Sequence, residues 1–219
     1  MRPEKNGRLK IFQRPKQETI YALGADVAEG LALGDASTIC VIDKDLNQAA
    51  AWYGRVDPDL FGSICCKVGE FYNHAMIVPE INNMGHTTLN KIKSLGYSNV
   101  YTRQVREELS DEFVQKIGWR TDRKSKHEML NEFVAHVRDG TININDIDLL
   151  KEMSTLYVET DGNVELNGKD RVVAICLAIQ GIKQSYGNSY DAEFPSQYRP
   201  KTFAEKLDMS ERKQGSECA

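Results

Sequence analysis

Three acidic residues, Asp26, Glu80 and Asp170, occupy positions where a chemical site could form. Asp26 ends the apolar segment YALGAD and Glu80 ends the segment MIVPE, so both carboxylates should lie at the ends of β-strands. Asp170 opens an expected helix and shares a face with Val173 and Ala174, which should direct its carboxylate toward a sheet. Each acid taken alone could instead be a strand-end or helix-capping residue. Their meaning depends on whether the fold brings them together.

A group of three close carboxylates has a definite chemical use. Carboxylates repel one another and stay ionised together only with a cation between them. Oxygen ligands select hard ions such as Mg²⁺ or Mn²⁺. Two such ions, about 3.5–4 Å apart, suit in-line attack on a phosphodiester, because one activates water and the other stabilises the leaving oxygen. The three acids therefore predict a nuclease that holds two metal ions and needs no nucleophilic side chain.

Two further residues could complete such a site. Asp35 lies nine residues after Asp26 and could be a fourth metal ligand, or it could form an Asx-turn with Ser37. Lys126 is the cation that we expect to orient the phosphate or the attacking water, although a solvated helix lysine would look the same in the sequence. The sequence leaves both pairs of alternatives open.

The charge distribution is compatible with a DNA cleft but does not require one. The net charge of −4 opposes association with DNA. From Lys91 to Lys126, however, nine Lys or Arg residues stand against five Asp or Glu residues. The segment GWRTDRKSK is the most basic part of this span. The predicted phosphate contacts within it are Arg120, Arg123, Lys124 and Lys126.

The pattern of apolar residues predicts an α/β fold with a mixed sheet and helices on both faces. Asp57 is expected to cap the first helix, with Pro58 at its first position. Three strands in a row make an antiparallel meander, and right-handed strand–helix–strand units continue the sheet. This is the ribonuclease H-like layout. Strands are expected over 20–27, 37–42, 47–56, 76–80 and 99–102, and helices over 58–73, 84–95, 122–139, 147–156 and 170–184.

Composition suggests the organisation and compartment of the chain. We expect a linker or edge segment at 1–19, a ribonuclease H-like nuclease domain at 20–186 and a polar tail at 187–219. The five cysteines, two of them adjacent, predict reduced thiols rather than disulfides. We find no run of about 18 apolar residues and no secretory signal, so we expect a cytoplasmic protein with no membrane partner.

Other site chemistries find little support in the sequence. No GxGxxG or GxxxxGK[ST] segment occurs, which argues against a dinucleotide site and against ATP hydrolysis by this chain. The four histidines lack the spacing of a zinc site, and no CxxC pair occurs.

Several short segments together resemble the nuclease domain of the large terminase subunit of tailed bacteriophages. The resemblance runs from about residue 21 to residue 184, and it depends on the order and spacing of the segments. They are Gly24–Gly30, Gly34–Thr38, Val78–Gly85, Gly118–Lys126 and Gly168–Ala174.

The resemblance implies the ribonuclease H-like fold, two divalent metal ions and endonucleolytic cutting of concatemeric viral DNA during packaging. The family's acidic triad falls on Asp26, Glu80 and Asp170. Family members often carry His-Asp-Asp or His-Gly-Asp at the third acid, whereas this chain has Gly168-Lys169-Asp170. Asp170 is then the only acid there, and Lys169 is predicted to contact phosphate.

The resemblance also implies partners and a location. The family couples its nuclease to a separate ATPase domain with a Walker A loop, which this chain lacks, so we expect a nuclease piece without ATPase activity. The implied partners are double-stranded DNA, the terminase ATPase domain, the portal and the small terminase subunit. The implied location is the host cell cytoplasm.

Three alternatives remain open on these residues. A Holliday-junction resolvase has the same fold and could use the same acids, and a preference for branched over linear DNA would identify it. An actin-like ATPase also opens with a meander, but it encloses its nucleotide between two such domains, and 219 residues are too few. A non-catalytic DNA-binding module would gain nothing from clustered negative charge.

Overall fold

The computed structural model describes most of the chain, with gaps. The described residues are 9–28, 36–81, 84–106, 112–157, 166 and 168–187. The chain divides into two compact units, Met1–Ser185 and Tyr186–Ala219. The first unit contains every strand given below and all of the candidate site.

The described elements follow the expected order for most of the chain. The strands are β1 (Leu9–Ile11), β2 (Tyr21–Asp26), β3 (Ser37–Asp43), β4 (Gln48–Gly54), β5 (Met76–Pro79), β6 (Thr102–Arg106) and β7 (Phe113–Ile117). The helices are α1 (Pro58–Phe71), α2 (Gly85–Ser94), α3 (Arg123–Arg138), α4 (Ile147–Ser154) and α5 (Asp170–Gly187).

The main sheet has five strands in the order β1-β4-β3-β2-β5. β2, β3 and β4 form the predicted antiparallel meander. β5 runs parallel to β2, and β1 pairs antiparallel with β4 at the opposite edge. The combination of a meander with a parallel strand confirms the predicted ribonuclease H-like mixed sheet.

The two faces of the sheet carry different helices, because successive strand residues point to opposite sides. On one face, Tyr21 and Leu23 belong to a core that includes Phe61 and Cys65 of α1. The other face carries α5, which is buried along its whole middle part. The sheet covers one side of α5. On another side, Gln180 and Lys183 donate to the carboxylate of Glu132 from α3. A helix covered in this way has no need of a polar, solvent-facing side.

Gly24 decides how closely α5 approaches the sheet. A methyl group in place of its hydrogen would overlap the carbonyl oxygen of Ala174 and lie 2.6 Å from the amide nitrogen of Ala178. Any larger residue at this position would push α5 away from β2. The glycine in the strand therefore sets the spacing on which the candidate site depends.

The strand predicted at 99–102 is wrong in its extent. Val100 joins Ile77 only through an isolated bridge. The chain then continues as β6, which pairs with β7 in a separate two-stranded ribbon. The sequence TRQVR is polar or charged at four of five positions, and FVQKI does not alternate, with Phe113 70% exposed. Because neither strand of this ribbon has a buried face, the sequence lacks the alternation of apolar and polar residues by which strands are predicted.

The predicted side-chain cap of α1 is also wrong. Asp57 occupies the N-cap position, but its carboxylate makes no capping hydrogen bond. Only its carbonyl oxygen accepts, from the amide of Phe61 at 2.9 Å. Pro58 does stand at the start of the helix, and its fixed φ angle begins the helix without help from a side chain.

The cysteines within the described residues behave as predicted. Cys40, Cys65, Cys66 and Cys176 are all free and buried. Burial raises the pKa of the Cys40 thiol to about 12, which makes this thiol chemically inert.

Candidate metal centre

The ends of β2 and β5 bring Asp26 and Glu80 together. These strands are parallel neighbours, with Ala25 opposite Pro79, so their carboxyl ends meet at one edge of the sheet. The amide of Glu80 donates to the carbonyl oxygen of Ala25 at 2.9 Å, which continues the pairing one residue further. The side-chain carboxyl groups of Asp26 and Glu80 share a hydrogen bond.

The course of α5 brings Asp170 to the same edge. Gly181 lies against Ala22, and Ala174 lies against Gly24, so α5 runs antiparallel to β2. From Ala174 to Asp170 the helix advances about 6 Å. From Gly24 to Asp26 the strand advances about 7 Å in the matching direction. The N-terminal end of α5 therefore lies above Asp26.

A row of side chains across the sheet supports this placement. Asp26 pairs with Thr38 of β3, and Thr38 pairs in turn with Tyr53 of β4. Directly paired residues lie on the same face of a sheet. The guanidinium of Arg171 stacks over the ring of Tyr53 at 3.9 Å from its centre. The start of α5 thus crosses this row, with Arg171 above Tyr53 and Asp170 toward Asp26.

The surroundings of Asp26 disfavour its negative charge. Loss of contact with water raises the pKa of the Asp26 carboxyl most, followed by the charge of Glu80, the shared hydrogen bond and the charge of Asp170. Only the backbone amide of Val27 acts in the opposite direction. A carboxyl group whose main electrical neighbours are other carboxyl groups would gain from a nearby cation.

The donor set of this cluster fits a hard divalent cation. Asp26, Glu80 and Asp170 offer only carboxylate oxygens, the ligands that Mg²⁺ and Mn²⁺ favour. Within the described ranges, no group of three or more Asp, Glu, His or Cys side chains is arranged to hold a metal ion. The carboxyls of Asp26 and Glu80 are instead turned toward each other. An ion held by Asp26, Glu80 and Asp170 would require these side chains to turn their oxygens toward it.

An adjacent set of contacts fixes the start of α5. One carboxylate oxygen of Glu152, from α4, accepts from the amides of Arg171 at 2.9 Å and Val172 at 3.3 Å. The other oxygen accepts from the Arg171 guanidinium at 2.6 Å. A carboxylate at a helix N-terminus also complements the helix dipole. Glu152 therefore holds the turn that carries Asp170.

Asp146 extends these contacts into a buried ionic network. Its side chain is only 2% exposed, and its carboxylate lies 2.8 Å from the ammonium of Lys10 and 3.6 Å from the guanidinium of Arg171. Lys10 also bonds Asp148 at 2.7 Å. The sequence analysis missed this network of Lys10, Asp146, Asp148, Glu152 and Arg171, called here the α5-start network.

The predicted DNA-contacting cations lie on the segment that leads into α3. Arg120, Arg123 and Lys124 are exposed, and Lys126 is half-exposed on the first turn of the helix. Lys124 makes a loose pair with Glu128 at 3.8 Å. Lys169 stands apart from this group, at the start of α5, where its ammonium donates to the hydroxyl of Thr155.

Trp119 connects this basic segment to the acids. Its amide donates to the carbonyl oxygen of Pro79 at 2.9 Å, and its carbonyl oxygen accepts from the amide of Ile81 at 2.8 Å. These bonds place Trp119 beside Glu80 as a bridge partner at the sheet edge. Gly118 turns the chain into this position with a φ angle of +86°, which favours glycine. Arg120 therefore follows directly on a residue that borders the carboxylates.

Arg103 is a basic residue near this segment that the sequence analysis missed. Its Nε lies buried with no hydrogen-bond partner among the described residues. Burial lowers the pKa of its guanidinium most, and the positive charge of Arg120 lowers it further. Tyr101 and Asp122 act in the opposite direction, so Arg103 lies near both charges of the segment that contains Arg120. Arg103 belongs to the predominantly polar ribbon, which gave no sequence signal.

The prediction for Asp35 lies outside the described residues. Its suggested roles, as a fourth metal ligand or as the start of an Asx-turn, stay predictions. The segment Asp161-Gly162-Asn163 also predicts a hairpin turn, and it lies outside the described residues as well.

Comparison with solved structures identifies the fold. The large terminase nuclease from thermophilic phage G20c with bound magnesium matches at a TM-score of 0.63 and 18% identity, over 81% of this chain and 89% of that one. With bound cobalt, the same nuclease matches at 0.61 and 18% identity, over the same shares. The large terminase nuclease domain of Thermus phage P74-26 matches at 0.58 and 17% identity, over 80% and 86%. The chain has the fold of these nuclease domains.

The predicted resemblance to large terminase nuclease domains is thereby confirmed at the level of the fold. No protein-family model matches the chain, and no curated protein matches its sequence. No helix within the described ranges is long and apolar enough to cross a membrane.

Proposed function

We propose that the chain is a metal-dependent endonuclease that cuts double-stranded viral DNA during genome packaging. The observation that carries this proposal is the convergence of Asp26, Glu80 and Asp170 at one edge of a terminase-nuclease-type sheet. Two of these carboxylates end adjacent parallel strands and the third begins the helix that covers them, so together they would offer hard oxygen ligands to an ion. The magnesium and cobalt bound to the G20c nuclease support a divalent ion in a domain of this fold.

In this proposal Asp26, Glu80 and Asp170 hold two Mg²⁺ or Mn²⁺ ions, with Asp35 as a fourth ligand. When bound, such ions activate a water molecule and stabilise the leaving oxygen of the phosphodiester. Lys126 orients the phosphate or the water from the first turn of α3. The chain needs no nucleophilic side chain of its own.

The contacts to DNA are proposed on the basic segment beside the acids. Arg120, Arg123, Lys124 and Lys126 bind backbone phosphates, and Lys169 contributes from the start of α5. The location of Trp119 beside Glu80 supports this, because it joins the basic segment to the carboxylate edge. No base-reading element was identified, so we expect cutting with little sequence preference.

The wider assignment follows the same reasoning. We propose that the nuclease cuts concatemeric DNA in the host cell cytoplasm, together with a terminase ATPase domain, the portal and the small terminase subunit. These partners enter from the likeness to terminase nuclease domains.

A plasmid assay tests the proposed activity. Supercoiled plasmid incubated with Mn²⁺ or Mg²⁺ should be nicked and linearised, and EDTA should abolish both products. Full activity in EDTA would exclude the metal mechanism. A branched junction offered beside linear duplex distinguishes a resolvase, since cutting confined to the junction would favour that enzyme instead.

A binding assay tests the basic segment separately. Lys124→Ala combined with Lys126→Ala should weaken DNA binding and reduce the salt dependence of the affinity by about two phosphate contacts. Lys93→Ala, at the C-terminal end of α2, provides a control that changes charge away from the basic segment. An unchanged affinity and salt slope in the double variant would place the DNA surface elsewhere.

A further inference from the structure

The hydroxyl of Thr38 is a buried polar group that the proposed mechanism does not use. Thr38 is only 1% exposed, and its Oγ1 has no hydrogen-bond partner among the described residues. Burial of a hydroxyl without a partner destabilises a protein by about 1–3 kcal/mol. Such an atom needs an explanation, because most buried polar groups in proteins are bonded.

The position of Thr38 provides that explanation. Thr38 pairs directly with Asp26 across β2 and β3, so the two side chains lie side by side on the face that α5 covers. In the described structure the Asp26 carboxyl bonds Glu80 instead. The unbonded hydroxyl and the candidate metal ligand are therefore immediate neighbours that do not bond each other.

Binding of a cation changes what the Asp26 carboxylate requires. A metal ion held by Asp26 would draw its carboxylate away from Glu80, and the carboxylate would then need another hydrogen bond to keep its orientation. Ligating carboxylates are usually held in orientation by such a bond from a neighbouring group. Thr38 offers a hydroxyl donor on the residue that pairs directly with Asp26, with no competing partner within the described ranges.

We propose that Thr38 is a positioning residue whose hydroxyl donates to the Asp26 carboxylate in the metal-bound state and orients it toward the ion. This inference rests on the proposed metal-dependent function. It assigns to β3 a part in the site that its apolar sequence STICVID does not suggest.

The substitution Thr38→Val separates this role from a structural one. Valine matches threonine in shape and removes only the hydroxyl. Without metal, Thr38→Val should melt higher than the parent by about 2–4 °C, because an unbonded buried hydroxyl is gone. The Mn²⁺ concentration that gives half of the maximal rise in melting temperature should increase by about 10–100-fold.

Two further comparisons make the test specific. Thr88 is a fully buried threonine whose hydroxyl does have a partner, the carbonyl oxygen of Pro58 at 2.9 Å. Thr88→Val should therefore melt lower than the parent and keep the parent's Mn²⁺ midpoint. Thr38→Ser, which retains the hydroxyl, should keep a Mn²⁺ midpoint near that of the parent, whereas Thr38→Ala should not. This last pair decides the matter if Thr38→Val does not fold.

The outcomes separate this inference from the proposed function. If the parent binds Mn²⁺ and cuts DNA but Thr38→Val has the parent's Mn²⁺ midpoint, the role of Thr38 is refuted and the nuclease proposal stands. Equal weakening in Thr38→Ser and Thr38→Ala also refutes it. If the parent shows neither a Mn²⁺-dependent rise in melting temperature nor cleavage, the proposed function fails, and the role of Thr38 fails with it.

Discussion

Asp170 and Arg171 are neighbours in the chain, yet they face two clusters of different electrical character. Arg171 enters the α5-start network, where it lies between the carboxylates of Glu152 and Asp146. Asp170 faces the carboxylate cluster, where its charge adds to that of Glu80 in raising the pKa of Asp26. Opposite charges meet in the first cluster, and like charges meet in the second.

The difference shows how buried charge can be assigned to folding or to function. A buried charge that meets its opposite, with hydrogen bonds at short distance, supports the fold even if the net gain is small. Carboxyl groups that meet one another oppose the fold unless a cation joins them. The α5-start network holds the helix, and in the proposed function the carboxylate cluster at the start of that helix binds an ion.

The largest expected effect comes from neutralising one acid of the carboxylate cluster. Asp26→Asn should reduce plasmid cleavage by more than about 100-fold, since the loss of a ligand exceeds the loss of its supporting contacts. The same variant should melt no lower than the parent in EDTA, because it removes repulsion and keeps the shape. Added Mn²⁺ should raise the melting temperature of the parent more than that of the variant.

Retained cleavage in Asp26→Asn would show that Asp26 is not a metal ligand and would contradict the functional role assigned to the carboxylate cluster. An asparagine caps a loop about as well as an aspartate, so an ordinary strand-end role predicts survival of the activity. Paired plasmid assays and thermal melts, with and without Mn²⁺, distinguish the two.

The opposite response is expected in the α5-start network. Asp146→Ala should destabilise the protein by about 1–2 kcal/mol, because it removes an almost fully buried carboxylate that pairs with Lys10 and Arg171 and accepts from the amide of Asp148. The loss stays below that of an unpaired buried charge, since Lys10 keeps Asp148 and Arg171 keeps Glu152. Urea denaturation measures this loss. Asp45→Ala is the matched control, since Asp45 pairs with Lys44 at the surface and its loss should cost less than about 1 kcal/mol. A stability loss in Asp146→Ala no larger than in the control would show that burial adds nothing to the network.

A comparable effect should appear where the two clusters meet. Glu152→Gln keeps the size of the side chain but weakens its bonds to Arg171 and Val172, at a cost of about 1–2 kcal/mol. Because these bonds hold the first turn of α5, the Mn²⁺ midpoint should also rise as Asp170 loses its fixed position. Lower stability with an unchanged Mn²⁺ midpoint would confine Glu152 to the fold.

The smallest effect concerns pH at the exposed edge of the network. Hydrogen bonds from Lys10 and Lys151 lower the pKa of Asp148 from its ordinary value of 3.8 to about 2. A folded-state pKa below the unfolded value stabilises the protein above pH 3.8, and this contribution disappears as pH falls toward 2. The urea midpoints of the parent and Asp148→Asn should therefore differ at pH 5 and converge near pH 2. A constant difference across that range would contradict the assigned cause.

The proximity of the three acids could be predicted from the sequence because it follows from topology, whereas their role as metal ligands stays a prediction. Asp26 and Glu80 end strands that the ribonuclease H-like layout makes parallel neighbours, and Asp170 opens a helix whose apolar residues must face the sheet. Each acid could be placed from the pattern of its own segment. Most helix boundaries were predicted within a few residues for the same reason.

The α5-start network could not be predicted in this way. Lys10 and Asp146 lie 136 residues apart, and no local pattern links two such positions. The ribbon was missed because β6 is largely polar and neither β6 nor β7 has a buried face. The capping role predicted for Asp57 was wrong because Pro58 begins the helix without a side-chain cap. Local periodicity reveals elements with a buried face, whereas long-range ion pairs and exposed strands depend on the folded chain.

The place of Trp119 has a practical consequence for optical measurements. The chain has only two tryptophans. Trp52 packs against Phe61 on the α1 side of the sheet, while Trp119 borders Glu80. In a Trp52→Phe variant, the remaining indole would be an intrinsic fluorophore beside the carboxylate edge. Its emission should then follow the arrival of an ion or of DNA in real time, without an attached dye.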